Sequence, residues 1–199
     1  KWSPLGWMYG IDCLSTHISA SELAAGRDYY DFYRTDERQM IRHMNIRKMV
    51  PGFSPAWIAA HVPFVKMGLS HRALSVLMTL ASSLALALWF LSLIELLGLL
   101  GFDCKGKVVF QLTILALVFY PFYEAIFMGQ PTIFVLLLVT KSLIYILREE
   151  FNFAAIAIAL AAVIKIFPFG LLAIFPMKGK LKPLLLGVAI VGLLQLPVL

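Results

Sequence analysis

Beyond Arg72 the chain is a succession of apolar runs, and that one feature dictates a polytopic helical membrane protein. A helix needs about 20 apolar residues to cross a bilayer. The runs cover residues 74–100, broken among charges only by Glu95; 108–128, with Glu124 inside; 132–147, with Lys141; 151–177, with Lys165 and Pro168; and 184–199, still apolar where the sequence stops. They are apolar all round, so periodicity cannot orient them. With 61% hydrophobic and 14% charged residues, the chain lies well away from a soluble domain, which is nearer half apolar and a quarter charged.

Two regions follow. Residues 1–70 read as an external or interfacial helical segment, and 71–199 as a transmembrane bundle whose last span is truncated. Both ends look cut, so the sequence reads as a fragment of a larger protein. Nine of the seventeen Lys/Arg and six of the eleven Asp/Glu fall in residues 1–72. A net charge of +6 invites a nucleic-acid partner, but the positives sit at membrane boundaries or are mixed with acids, which excludes it. Lys105, Lys107, Arg148 and the cluster Lys178, Lys180, Lys182 occupy short loops, and such charge marks the cytoplasmic side. Simple alternation puts the last cluster opposite the others. A break at Pro168 resolves this, because proline interrupts a helix interior. If residues 151–164 go up and 169–177 come back, the three basic loops share one side, and 1–72 and the turn at 128–131 share the other. Cys13 and Cys104 then lie on opposite sides, where no disulfide can join them.

In the first segment, residues 13–25 form a short helix with Asp12 as a suitable N-cap and Gly26 just past its end. Residues 31–45 form a charged helix, 51–55 a turn, and 56–68 an interfacial stretch interrupted by Pro63. Asp28 and Asp31, followed by Asp36 and Glu37, could hold a divalent cation. Arg27, Arg34 and Arg38 lie among them, so a solvated salt-bridged face is the better reading, and no metal is expected.

Four local patterns now line up. Gly10-Ile-Asp12 followed by Gly26-Arg27-Asp28-Tyr29-Tyr30-Asp31, then Phe53-Ser54-Pro55 with Pro63, then Met128-Gly129-Gln130, and finally Ala162-Val163-Ile164-Lys165-Ile166-Phe167-Pro168 resemble, in order, the motifs of glycosyltransferase family 87. Departures are Ser54 in place of a proline, Pro131-Thr132 where the pattern continues Val-Asn, and a missing tyrosine pair after the aspartate. The resemblance implies a type-C glycosyltransferase fold and a membrane enzyme moving a hexose, mannose above all, from a polyprenyl-phosphate donor to a lipid- or glycan-linked acceptor, with inversion, on the outer face of the plasma membrane. It implies no cofactor.

That chemistry needs one carboxylate as general base for the acceptor hydroxyl and donors or cations for the phosphate that leaves, not the paired carboxylates of a glycosidase. Asp12 is the candidate base; as a bare sequence feature it is equally a helix cap. Lys165 is the candidate for the donor phosphate, because an ionisable residue inside an apolar run is costly and usually functional, with snorkelling or pairing to Glu124 as the structural reading. Gln130 binds phosphate or sugar, or serves the turn. Glu124 holds Lys165 or touches substrate. His17 is a further substrate-binding candidate; both it and His61 read otherwise as polar surface residues. Two other functions fit the same sequence: a transporter or flippase of a lipid-linked sugar, and a non-catalytic envelope assembly subunit, for which Asp12, Gln130 and Lys165 would not converge.

Overall fold

The computed structural model describes residues 11–28, 54–103 and 106–195, and every element among them is helical. The helices are α1 (Ile11–Ala24), α2 (Pro55–Lys66), α3 (His71–Leu99), α4 (Lys107–Val118), α5 (Tyr120–Met128), α6 (Thr132–Leu147), α7 (Phe151–Ile164), a 3₁₀ stretch (Phe167–Ala173) continuing into α8 (Ile174–Met177), and α9 (Leu181–Gln195). The charged helix expected over residues 31–45, the turn over 51–53 and Cys104 lie outside the described residues.

α3 is long and apolar enough to cross a membrane, and α4 and α5 reach that length together across a bend of 51°. The bend falls where the sequence had suggested one continuous run. Pro121 explains it: a proline in the first turn of α5 starts a new helix more readily than it continues an old one. α6, α7 and α9 are shorter apolar helices. The outer surface of α3 carries Val76, Leu80, Leu84 and Leu91, all more than half exposed, as expected of a helix facing lipid.

α7 is the hub, packed against α6, α9 and the 3₁₀ stretch. It can be surrounded because its buried residues are mostly alanines, at 154, 155, 157, 159, 161 and 162. Small side chains let neighbouring helices approach closely. Continuing α7 past Ile164 would require an N–H from Pro168, which proline lacks, and would drive its ring into the preceding turn. Lys165 instead adopts an extended backbone (φ −137°, ψ 129°), and the chain reverses. Leu172 and Phe175 then pack back against Ala154, Ala155 and Ile158, so residues 167–177 return along α7. At the end of that return, Glu149–Phe153 and Gly179–Pro183 line one open groove of about 580 Å³, and Lys180 sits over the Phe151 ring at 5.1 Å.

The same end of the bundle carries an ion network. Glu95 of α3 takes Lys141 Nζ at 3.0 Å and Arg148 Nη2 at 2.9 Å. Nearer the middle, Trp89 Nε1 donates to Thr140 Oγ1 at 3.1 Å. α1 and α2 pack on the opposite end, where Ala20 and Ile58 meet and Cys13 sits with Leu74 and Met78 of α3. Pro63 does not interrupt α2, which runs on to Lys66. Pro63 is exposed, so the carbonyl it leaves unpaired can turn to solvent.

Candidate functional site

α1 ends in a left-handed Gly26 (φ 71°), with Arg27 N–H donating to Glu22 C=O at 2.9 Å, which is the pattern of a glycine-stopped helix. Its other end is where the chemistry gathers. Asp12 is the second residue of α1 as described, not the residue flanking it, so its carboxylate is not used as the flanking cap.

The turn between α5 and α6 meets that end of α1. Gly129 takes φ 72°, and a Cβ on it would lie 3.0 Å from Cys13 Cβ. Glycine thus serves twice: it supplies the left-handed backbone, and it lets α1 come close enough for Asp12 to reach Gln130. The Asp12 carboxyl lies near the Gln130 side chain and feels the positive charge of Lys165, while the Gln130 amide donates through Nε2 to Met128 Sδ at 3.7 Å.

Thr132 completes the set. Lys165 Nζ donates to Thr132 Oγ1 at 2.8 Å, and Thr132 Oγ1 donates to Gln130 Oε1 at 3.2 Å. A directed chain of hydrogen bonds therefore runs from the ammonium through a hydroxyl to the Gln130 amide, beside which the Asp12 carboxyl lies. Each donor polarises the next, and such chains strengthen cooperatively. Burial raises the Asp12 pKa above its ordinary value of 3.8, while the Gln130 side chain and the Lys165 charge pull it part of the way back. The result is an ionisable carboxyl that is more basic than an exposed aspartate.

The other candidates are placed differently. Lys165 forms no ion pair with Glu124 in the described structure; its ammonium goes to Thr132, and Glu124 is half-buried on α5. His17 points away from the chain. Its ring stands edge-on to His71 with centroids 6.3 Å apart, and its Nδ1 is buried with no hydrogen-bond partner. Burial and then His71 push its pKa below 6.5. His61 is buried rather than a surface residue. Its Nδ1 lies 2.8 Å from Trp57 C=O, and burial lowers its pKa too. Among the described residues no three His, Cys, Asp or Glu side chains are arranged to hold a metal ion. Asp28 is exposed, and Arg27 pairs with Glu22 at 2.6 Å.

The sequence over residues 54–197, well over half the chain, matches glycosyltransferase family 87. The chain belongs to that family. No curated protein and no solved structure matches it. The matched stretch contains Gln130, Thr132 and Lys165, while Asp12 precedes it. Membership of glycosyltransferase family 87 makes the protein a glycosyltransferase, and the family together with the apolar helices points to a membrane protein.

Within this family-87 chain, two polar residues emerge that sequence reasoning did not single out as site residues. Thr132 stands where the family's turn continues with asparagine, and a polar group at that position was the available signal. Gln195, near the end of apolar α9, donates through Nε2 to Val163 C=O at 3.3 Å and accepts at Oε1 from Ala56 N–H at 3.4 Å.

Proposed function

We propose that the protein transfers a hexose, mannose in the first instance, from a polyprenyl-phosphate donor to a hydroxyl of a lipid- or glycan-linked acceptor, with inversion at the anomeric carbon. The observation that carries this reading is the convergence of Lys165, Thr132 and Gln130 in one hydrogen-bonded chain, with the Asp12 carboxyl beside it. It supports an enzyme over a passive assembly subunit, for which these residues need not meet.

In the proposed step, the acceptor oxygen forms a bond to the anomeric carbon from the face opposite the phosphate. The bond from that carbon to the phosphate oxygen breaks, and polyprenyl phosphate leaves with the electron pair. The acceptor proton passes to Asp12, whose raised pKa suits a general base. Lys165 meets the negative charge growing on the leaving phosphate. Gln130 orients the carboxylate and binds the donor phosphate or sugar. Beside Lys165, Ile166 and Phe167 are each 68% exposed, an apolar lip next to a cation, which suits a lipid phosphate.

The assay is transfer in proteoliposomes with polyprenyl-phosphate-mannose. Asp12→Asn is expected to abolish product while leaving expression intact, and Lys165→Ala to raise the donor KM or stop turnover. Full activity in Asp12→Asn refutes the base assignment. Transfer is expected to survive EDTA; loss restored by Mn²⁺ contradicts that. In the proposed plasma-membrane topology, with the Asp12 end outside, cysteines placed at Phe151 and Gly179 label from one and the same side.

A further inference from the structure

The broken end of α7 leaves carbonyls that no longer find partners four residues ahead. Val163 C=O is two residues before Lys165, and two side chains from distant parts of the chain converge on it. One is Ser54, whose hydroxyl donates to Val163 C=O while accepting from Trp57 N–H at 3.2 Å as the cap of α2. The other is Gln195, whose amide donates to the same carbonyl and accepts from Ala56 N–H in the first turn of α2. Both backbone groups are of the kind that helix ends leave orphaned. An amide within an apolar helix carries a cost unless its hydrogen bonds are made. Beyond Lys182, Gln195 is the only polar side chain in α9.

We propose that Gln195, with Ser54, is a positioning residue for Lys165: it pins the break in α7 to the start of α2 and so fixes where the ammonium stands relative to Thr132. This rests on the transferase reading for its catalytic meaning, but the bracket itself is a matter of backbone geometry. Gln195 touches neither Lys165 nor Asp12 and acts through the Val163 carbonyl.

The pattern required of residue 195 is one donor and one acceptor. A neutral carboxylic acid supplies both, whereas a carboxylate supplies no donor and sets its charge against the Val163 carbonyl oxygen. Three forms are therefore compared in proteoliposomes: wild type, Gln195→Leu and Gln195→Glu. The readouts are amide hydrogen exchange over residues 161–167 and donor KM with polyprenyl-phosphate-mannose, both followed from pH 8 to pH 5. Gln195→Leu is expected to speed exchange and raise donor KM by about tenfold, as the loss of one to two hydrogen bonds implies, with acceptor KM unchanged at every pH. Gln195→Glu is expected to match that defect at pH 8 and to return toward wild type as the pH falls and its carboxyl is protonated. Unchanged exchange in Gln195→Leu overturns the bracket. Faster exchange with unchanged donor KM reduces Gln195 to a structural residue and overturns the positioning role. If wild type itself shows no turnover with this donor, the transferase reading falls, and the exchange comparison still decides whether Gln195 holds the turn that carries Lys165.

Discussion

Gly129→Ala tests whether close approach of α1 to the turn at 129–130 builds the site. Two costs are expected. An L-residue in the left-handed region costs about 1–2 kcal/mol, offset by about 0.4–1 kcal/mol because alanine also restricts the unfolded chain. The new methyl would meet Cys13 Cβ at 3.0 Å, and crowding of this kind in a packed interior costs about 1–3 kcal/mol. Gly68 separates the two effects. It has nearly the same backbone angle, φ 77° against 72°, but nothing lies within 4 Å of a Cβ placed on it. Gly68→Ala should therefore show the backbone cost alone, roughly 0–1.6 kcal/mol net.

The measurement is equilibrium unfolding by SDS from mixed micelles, paired with the transfer assay. Gly129→Ala should exceed Gly68→Ala by about 1–3 kcal/mol. It should also lose transfer, because Cys13 adjoins Asp12 and any retreat of α1 draws Asp12 away from Gln130 and Lys165. In a Cys13→Gly background the colliding Cβ is gone, and the extra cost of Gly129→Ala should vanish. Equal costs at Gly129 and Gly68, or strict additivity with Cys13→Gly, would refute the reasoning.

Asp12→Asn should stabilise the protein at pH 7. A carboxyl whose folded pKa is raised above 3.8 lends stability that is present below about 3.8 and lost as pH rises through the folded value, so the gain should appear at pH 7 and vanish near pH 3; an unchanged SDS midpoint at pH 7 contradicts this. Thr132→Val keeps the shape but removes the link between Lys165 and Gln130, and should lower kcat/KM by about tenfold; wild-type kinetics would break the link between the two ends of the chain. Glu95→Gln leaves Lys141 and Arg148 facing each other, but their side chains are 36% and 46% exposed, so the cost should be only about 1 kcal/mol and shrink in salt; a larger, salt-independent loss would show a drier site. His17 and His61 have folded pKa values pushed below 6.5, so stability should be intact above that value and fall as pH drops through the folded values, with His71 the charge facing His17; a midpoint flat from pH 8 to pH 5 contradicts this.

Local chemistry was legible where it decided local structure. The apolar run over 74–100 read directly as α3, and Gly26 read as the stop of α1. Pro121 carried a signal that run length obscured. Pro63 carried one that misled, because a proline exposed in the last turn of a helix costs too little to break it. The 51° bend in 108–128 and the uninterrupted α2 are therefore two outcomes of one rule, decided by position and exposure.

The site was legible as residue types and not as a circuit. Asp12, Gln130 and Lys165 stand out because polar groups are rare in such a chain, but nothing in their spacing says that a threonine hydroxyl will join them. Ser54 read as a missing proline, yet its hydroxyl closes a contact 109 residues away, and Gln195 reaches back across 139. Such residues escape motif reading because their partners are backbone groups at helix ends, the Val163 carbonyl among them freed only once α7 has broken. The break at Lys165 is therefore the organising event: Pro168 forbids the helix, the freed Val163 carbonyl calls for donors, Ser54 and Gln195 supply them, and the lysine is left extended beside Thr132. A Pro168→Ala protein that let α7 run on would remove the reversal, the bracket and the position of the ammonium at once, while leaving Asp12, Gln130 and Thr132 unaltered in sequence.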